Sequence, residues 1–88
     1  MNDQEKSEFI WTTLTNIFRD LFEQDDLTLI PNMTADSLAG WDSFRHVEIL
    51  IEVQDIFGVH FSSREIDTLD SVGDLAQLIA SKGAVRGS

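Results

Sequence analysis

The sequence contains no cysteine, which excludes a disulfide framework, a thiolate metal site and a cysteine nucleophile. Basic residues are scarce. Six Lys and Arg stand against 16 Asp and Glu, for a formal charge of −10. A chain so acidic repels phosphate backbones, so nucleic-acid binding through a basic patch is excluded, and it gains nothing from an anionic membrane surface. No apolar run approaches the roughly 18 residues of a membrane span. The opening Met1-Asn-Asp-Gln-Glu-Lys is polar and acidic, unlike the basic-then-apolar start of a signal peptide. Internal repeats and low-complexity tracts are missing too. These absences leave a cytoplasmic domain, expected to be a monomer, whose partners are basic proteins rather than nucleic acid or membrane.

What is present suits a folded domain. Hydrophobic residues make up 42%, and the 5 glycines bring the share into the ordinary globular range of about 45–50%. The 88 residues support one modest core and no second one. From Asp3 to about Phe22, Ile10, Leu14, Ile17, Phe18 and Leu21 recur at helical spacing. Phe9, Trp11 and Phe22 widen that stripe, and Asp3 or Ser7 is expected to cap it. Residues 23–42 have no sustained period and hold Pro31, Gly40 and several Asn, Asp, Ser and Thr, which favour turns. Leu27, Leu29, Ile30, Met33 and Leu38 in this stretch still call for burial. A long loop in a small domain is uncommon and often functional.

A second helix follows, bounded by Asp42 as N-cap and Gly58 as stop. Val59 and Phe61 then alternate with a solvent-facing His60. Ser62 and Glu65 form a capping box for a short third helix through Ile66 and Leu69. Ser71 caps a fourth, which carries Val72, Leu75, Leu78 and Ile79 to the core and stops at Gly83. The expected fold is all-α: a bundle of three longer helices and one short one, with a long loop between helices one and two. Residues 1–83 form the domain and residues 84–88 a frayed tail.

Helix two has one face too many. At about 100° per residue, Ile49, Leu50, Val53, Ile56 and Phe57 share an arc with His46, while Arg45, Glu48, Glu52 and Asp55 lie opposite. Phe44, Val47 and Ile51 make a third, apolar strip beside the charged one. A bundle helix buries a single face, so this strip reads as a docking surface for another protein, or else as a cover for the long loop or helix three. Ser43 stands just after the N-cap, among unpaired backbone N–H groups at the positive end of the helix dipole. A phosphodiester on its hydroxyl would meet a favourable field, although a serine there is commonly only a helix-start residue.

Gly40-Trp41-Asp42-Ser43-Phe44, then helix two and Phe57-Gly58-Val59, resembles the acyl carrier protein family, whose attachment motif is Asp-Ser-Leu or close to it. The resemblance extends to the amphipathic first helix, the long loop and the capped last helix. It implies a non-catalytic carrier. A phosphopantetheinyl transferase would use coenzyme A and Mg²⁺ to place 4′-phosphopantetheine on Ser43, and the arm's thiol would hold an acyl or aminoacyl group as a thioester. The missing cysteine is thereby accounted for, since the working thiol comes with the arm. Loading ligases and downstream transferases or synthases with basic docking surfaces would be the other partners. By the same resemblance Asp42, Phe44, Val47, Glu48 and Ile51 match partner-facing positions, and Glu52 and Asp55 extend that face on the wheel. Arg45 stands where fatty-acid carriers often have an acidic residue, His46 follows it, Phe44 replaces Leu or Met, and Trp41 is bulky beside the attachment point. These departures set a pathway-specific carrier, for polyketide, lipid-modification or aminoacyl transfer, beside the housekeeping fatty-acid one.

Two bland alternatives accompany this reading. Ser43 and His46 lie three apart, as a nucleophile and base would, but the chain shows no oxyanion site and offers little surface for a cleft. An unmodified acidic module that occupies basic sites on other proteins accounts for the charge equally well; only the position of Ser43 separates the two.

Overall fold

The computed structural model describes residues 3–82. Among them are four helices, α1 (Asp3–Phe22), α2 (Ser43–Phe57), α3 (Ser63–Asp67) and α4 (Val72–Ser81), and no strand. The all-α expectation and the long α1–α2 loop both hold. Helix α1 packs against α2 and α4 through the expected stripe: Ile10, Leu14, Ile17 and Phe18 are buried, and Leu21 and Trp11 half-buried. Phe9 meets Phe57 edge-on, with ring centroids 5.7 Å apart. Ser7 lies inside α1 and exposed, so it does not cap that helix.

Three helix starts follow the cap rules. Asp42 Oδ1 accepts from Arg45 N at 2.9 Å. Ser62 with Glu65 and Ser71 with Asp74 form complete capping boxes, each side chain satisfying an orphan N–H of the other's turn. Gly58 ends α2 at φ 67°, a left-handed conformation that costs glycine nothing and most other residues a clash. Helix α3 ends at Asp67, with Thr68 as its cap, so Leu69 lies past the helix as a half-buried link residue. Helix α4 ends at Ser81 with Lys82 as cap; Gly83 and the tail lie outside the described residues. Val72, Leu75 and Ile79 of α4 are buried as expected, Leu78 only half, and Ala76 joins them.

The long loop is stitched to the bundle rather than draped over it. Arg19 Nε donates to Leu27 O at 2.7 Å. The first two N–H groups of α4, on Val72 and Gly73, donate to Met33 O at 2.9 Å and Pro31 O at 3.0 Å, so loop carbonyls fill positions that a helix start leaves open. Leu27, Leu29, Met33 and Leu38 are buried, while Ile30 is exposed: the turn that aims the Pro31 carbonyl at α4 leaves its side chain outside. Ile56 is also exposed. On the wheel it falls at the edge of the core arc, nearer Arg45 and Glu52 than Val53, and no neighbouring helix covers that edge.

Candidate functional site at the start of helix α2

Ser43 is the first residue of α2 and exposed, as are Asp42 before it and Phe44 after it. The loop brings the chain here through Gly40, at φ 90°, and Trp41. Trp41, bulky beside Ser43, is buried: its indole packs edge-on against Phe18 at 5.3 Å and Phe22 at 6.5 Å between centroids. Its Nε1 donates to His46 Nδ1 at 3.3 Å, with the two ring planes within 24°. Trp41 and His46 are the residues just before the N-cap and four positions after it, the two ends of a hydrophobic staple. That spacing was legible in the sequence and is the signal that could have placed Trp41 in the core. His46 lies within the core arc and, in the first turns of α2, sits half-buried.

Helix α2 presents its third face to solvent. Phe44, Val47 and Ile51 are 68%, 54% and 60% exposed, too open for side chains covered by the loop or by α3. Glu52 and Asp55 are exposed beside them. Arg45 and Glu48 are turned toward each other: Arg45 Nη1 reaches Glu48 Oε1 at 2.5 Å, and the guanidinium lies 5.7 Å from the centre of the Phe22 ring. Much of the Arg45 charge is thus spent inside the protein, and the carboxylates left facing outward are those of Asp42, Glu52 and Asp55. An apolar strip edged by carboxylates can dock a surface that offers apolar side chains with Lys or Arg around them.

Around the helix from that strip, a cavity of about 400 Å³ opens between the loop, α2 and the start of α4. Buried Ile49, Leu50 and Leu75 form its floor, and Asp36, His46 and Asp70 stand at its edge. Its wall continues through Trp41, so the staple that braces the Ser43 turn also borders this space.

A small helical carrier fold with an accessible hydroxyl opening its second helix is the class these features define. The family described as "Phosphopantetheine attachment site" matches residues 12–79, and the chain belongs to it. Covalent phosphopantetheine is therefore its prosthetic group, and an exposed hydroxyl within the matched span, next to unpaired helix N–H groups, suits a phosphodiester. Among solved structures, the chain is similar to the holo acyl carrier protein of Geobacter metallireducens, with 32% identity, a TM-score of 0.78, and coverage of 84% of this chain and 85% of that one. It also shares the fold of the acyl carrier protein of Thermotoga maritima, at 20% identity and a TM-score of 0.78, with coverage of 92% of this chain and 94% of that one. No curated protein matches the chain. The protein is thus a non-catalytic carrier of the acyl carrier type. Among the described residues no helix is long and apolar enough to cross a membrane.

Proposed function

We propose that the chain carries acyl or aminoacyl groups as thioesters on an arm joined to Ser43, and presents them to enzymes that dock on the outward strip of α2. The observation that supports this most is the placement of Ser43: an exposed hydroxyl on the first helical residue, inside the family match, immediately beside an apolar strip that the bundle does not bury. In the attachment step a phosphopantetheinyl transferase joins the Ser43 oxygen to the phosphorus nearest the pantetheine of coenzyme A. The pyrophosphate bond breaks, the nucleotide bisphosphate leaves, and the hydroxyl proton passes to a base on the transferase. Asp42 holds the turn open through its bond to Arg45 N. Phe44, Val47 and Ile51 supply apolar contact, and Asp42, Glu52 and Asp55 steer a basic partner. Glu48 contributes chiefly by holding Arg45, whose partly paired cation sets this face apart from a uniformly acidic one. A monomer in the cytoplasm, where coenzyme A is at hand, serves a fatty-acid, polyketide, lipid-modifying or aminoacyl route equally well on this reading.

Incubation with coenzyme A, Mg²⁺ and a broad-range transferase tests the proposal by intact mass. One added phosphopantetheine in the wild type and none in Ser43→Ala is the expected pair of results. An unchanged wild-type mass, with a second carrier modified in the same tube, overturns the reading and leaves an unmodified acidic docking module in its place.

A further inference from the structure

The Trp41–His46 pair borders the cavity one turn beyond Ser43, and its hydrogen bond determines what that border offers a ligand. An indole N–H only donates. His46 Nδ1, which receives it at 3.3 Å, is therefore the unprotonated nitrogen, and in the neutral ring the proton sits on Nε2. The staple thus fixes the imidazole in one tautomer and leaves a single N–H donor on the residue that edges the cavity. The same cavity is lined by groups that accept, the Asp36 and Asp70 carboxylates. The floor of Ile49, Leu50 and Leu75 suits methylenes. A plain alkyl chain lying there would cover the His46 donor with carbon, which costs free energy when a polar group loses water without a new partner. An ammonium group would set donor against donor at His46. A hydroxyl can serve both sides, accepting from His46 and donating to a carboxylate; a keto oxygen can serve His46 alone.

Resting on the reading of Ser43 as the attachment point, we infer that this cavity receives an acyl group with an oxygen on its chain, a hydroxyacyl group above all, and that His46, held in tautomer by Trp41, is the residue that selects it. The arm starts at Ser43, three residues before His46 on the same helix, so cargo folded back along α2 meets the imidazole on its way to the apolar floor. Trp41 touches no cargo in this arrangement. It is a positioning residue that acts through His46.

The test compares two thioesters that differ by one hydroxyl. Octanoyl and 3-hydroxyoctanoyl arms are transferred from their coenzyme A thioesters, and intact mass verifies loading. Imidazole and indole ¹H–¹⁵N resonances are then recorded, along with the rate of thioester cleavage by hydroxylamine. The hydroxyacyl form is expected to shift the His46 Nε2–H signal and slow its exchange, while the Trp41 indole N–H stays bonded. Its thioester should survive about three- to tenfold longer than the octanoyl one, the ratio expected of one net hydrogen bond. His46→Phe should erase the difference between the cargoes. Trp41→Phe should keep the ring packing, release both imidazole tautomers and shrink the difference. Identical His46 spectra and equal lifetimes for the two cargoes, or a difference that persists in His46→Phe, overturn the inference. Should no arm attach, the failure belongs to the Ser43 reading. The two chains are then tethered through a haloacetamide to Ser43→Cys, the only thiol such a protein would have, and the His46 spectra decide the question with the same expected and contrary results.

Discussion

Helices α2 and α4 both begin with a short polar cap and a serine nearby, yet the two starts serve opposite ends. At α4 every opening is closed. Ser71 and Asp74 exchange side-chain bonds with the backbone, and the N–H groups of Val72 and Gly73 are taken by loop carbonyls. Gly73 lets the loop come so near that a Cβ there would stand 3.0 Å from Pro31 O. At α2 the cap is half of that. Asp42 accepts one bond, the third helical residue is Arg45 rather than an acid that could reach back, and no loop covers Ser43 or Phe44. A helix start sealed on all sides is part of the scaffold. One that is braced from beneath by Trp41, and left open above, has room for a ligand and a partner.

Exchanging the two serines in turn gives the sharpest contrast. Ser43→Ala should lose the arm entirely while melting within about 0.5 kcal/mol of wild type, as surface changes usually do. Ser71→Ala should accept the arm at the wild-type rate and lose about 1 kcal/mol in denaturant titrations, the usual cost of a missing cap. If Ser43→Ala melts markedly lower, the two starts are alike and the comparison fails. Next in size comes Gly73→Val, which drives a branched side chain into the Pro31 carbonyl. A loss of about 1–3 kcal/mol, typical of overpacking, is expected, together with faster amide exchange at residues 31–33, where the stitch to α4 is made.

On the open side, Val47→Asp should leave helix content and melting near wild type while partner transfer falls by about tenfold, corresponding to some 1.4 kcal/mol of docking. Unfolding of this variant would mean that the strip belongs to the core after all. The smallest effect concerns α3. Glu65 accepts from Lys82 Nζ at 2.8 Å and from Ser62 N at 2.9 Å. The Lys82 bond first, then the Ser62 backbone, hold its carboxyl below the ordinary value of 4.5. A lowered carboxylate adds stability above its unfolded value, and that contribution fades as pH falls through the folded one. Glu65→Gln should therefore flatten the acid limb of the stability curve below about pH 4.5 and change little at neutral pH, as read by thermal melts across pH 3–7.

Helix existence and most caps were legible because they depend on residues close in sequence. The 3.6-residue stripe of Ile10, Leu14, Ile17 and Phe18, the Ser62 and Ser71 boxes and the left-handed Gly58 are all local devices. So was the surplus apolar strip on α2, since a wheel counts faces without knowing what covers them. The misreadings fall where neighbours decide. Ile56 shares an arc with Val53 on paper, but the bundle does not extend over its edge. Ile30 is as apolar as Leu29, and the turn at Pro31 sends it outward. The staple spacing to His46 marks Trp41 for burial, but the Phe18–Phe22 slot that receives it belongs to α1 and is not local.

What the sequence determined alone is the kind of object this is: an acidic four-helix chain with a serine at the head of its second helix, since charge, periodicity and capping are all written within a few residues of where they act. The tertiary structure alone decided that the indole beneath Ser43 is buried against Phe18 and Phe22, that Phe44, Val47 and Ile51 are left uncovered, and that His46 borders a cavity shared with the loop and α4. Each of those depends on atoms from segments distant in the chain, and a pattern along one dimension holds no distances between them.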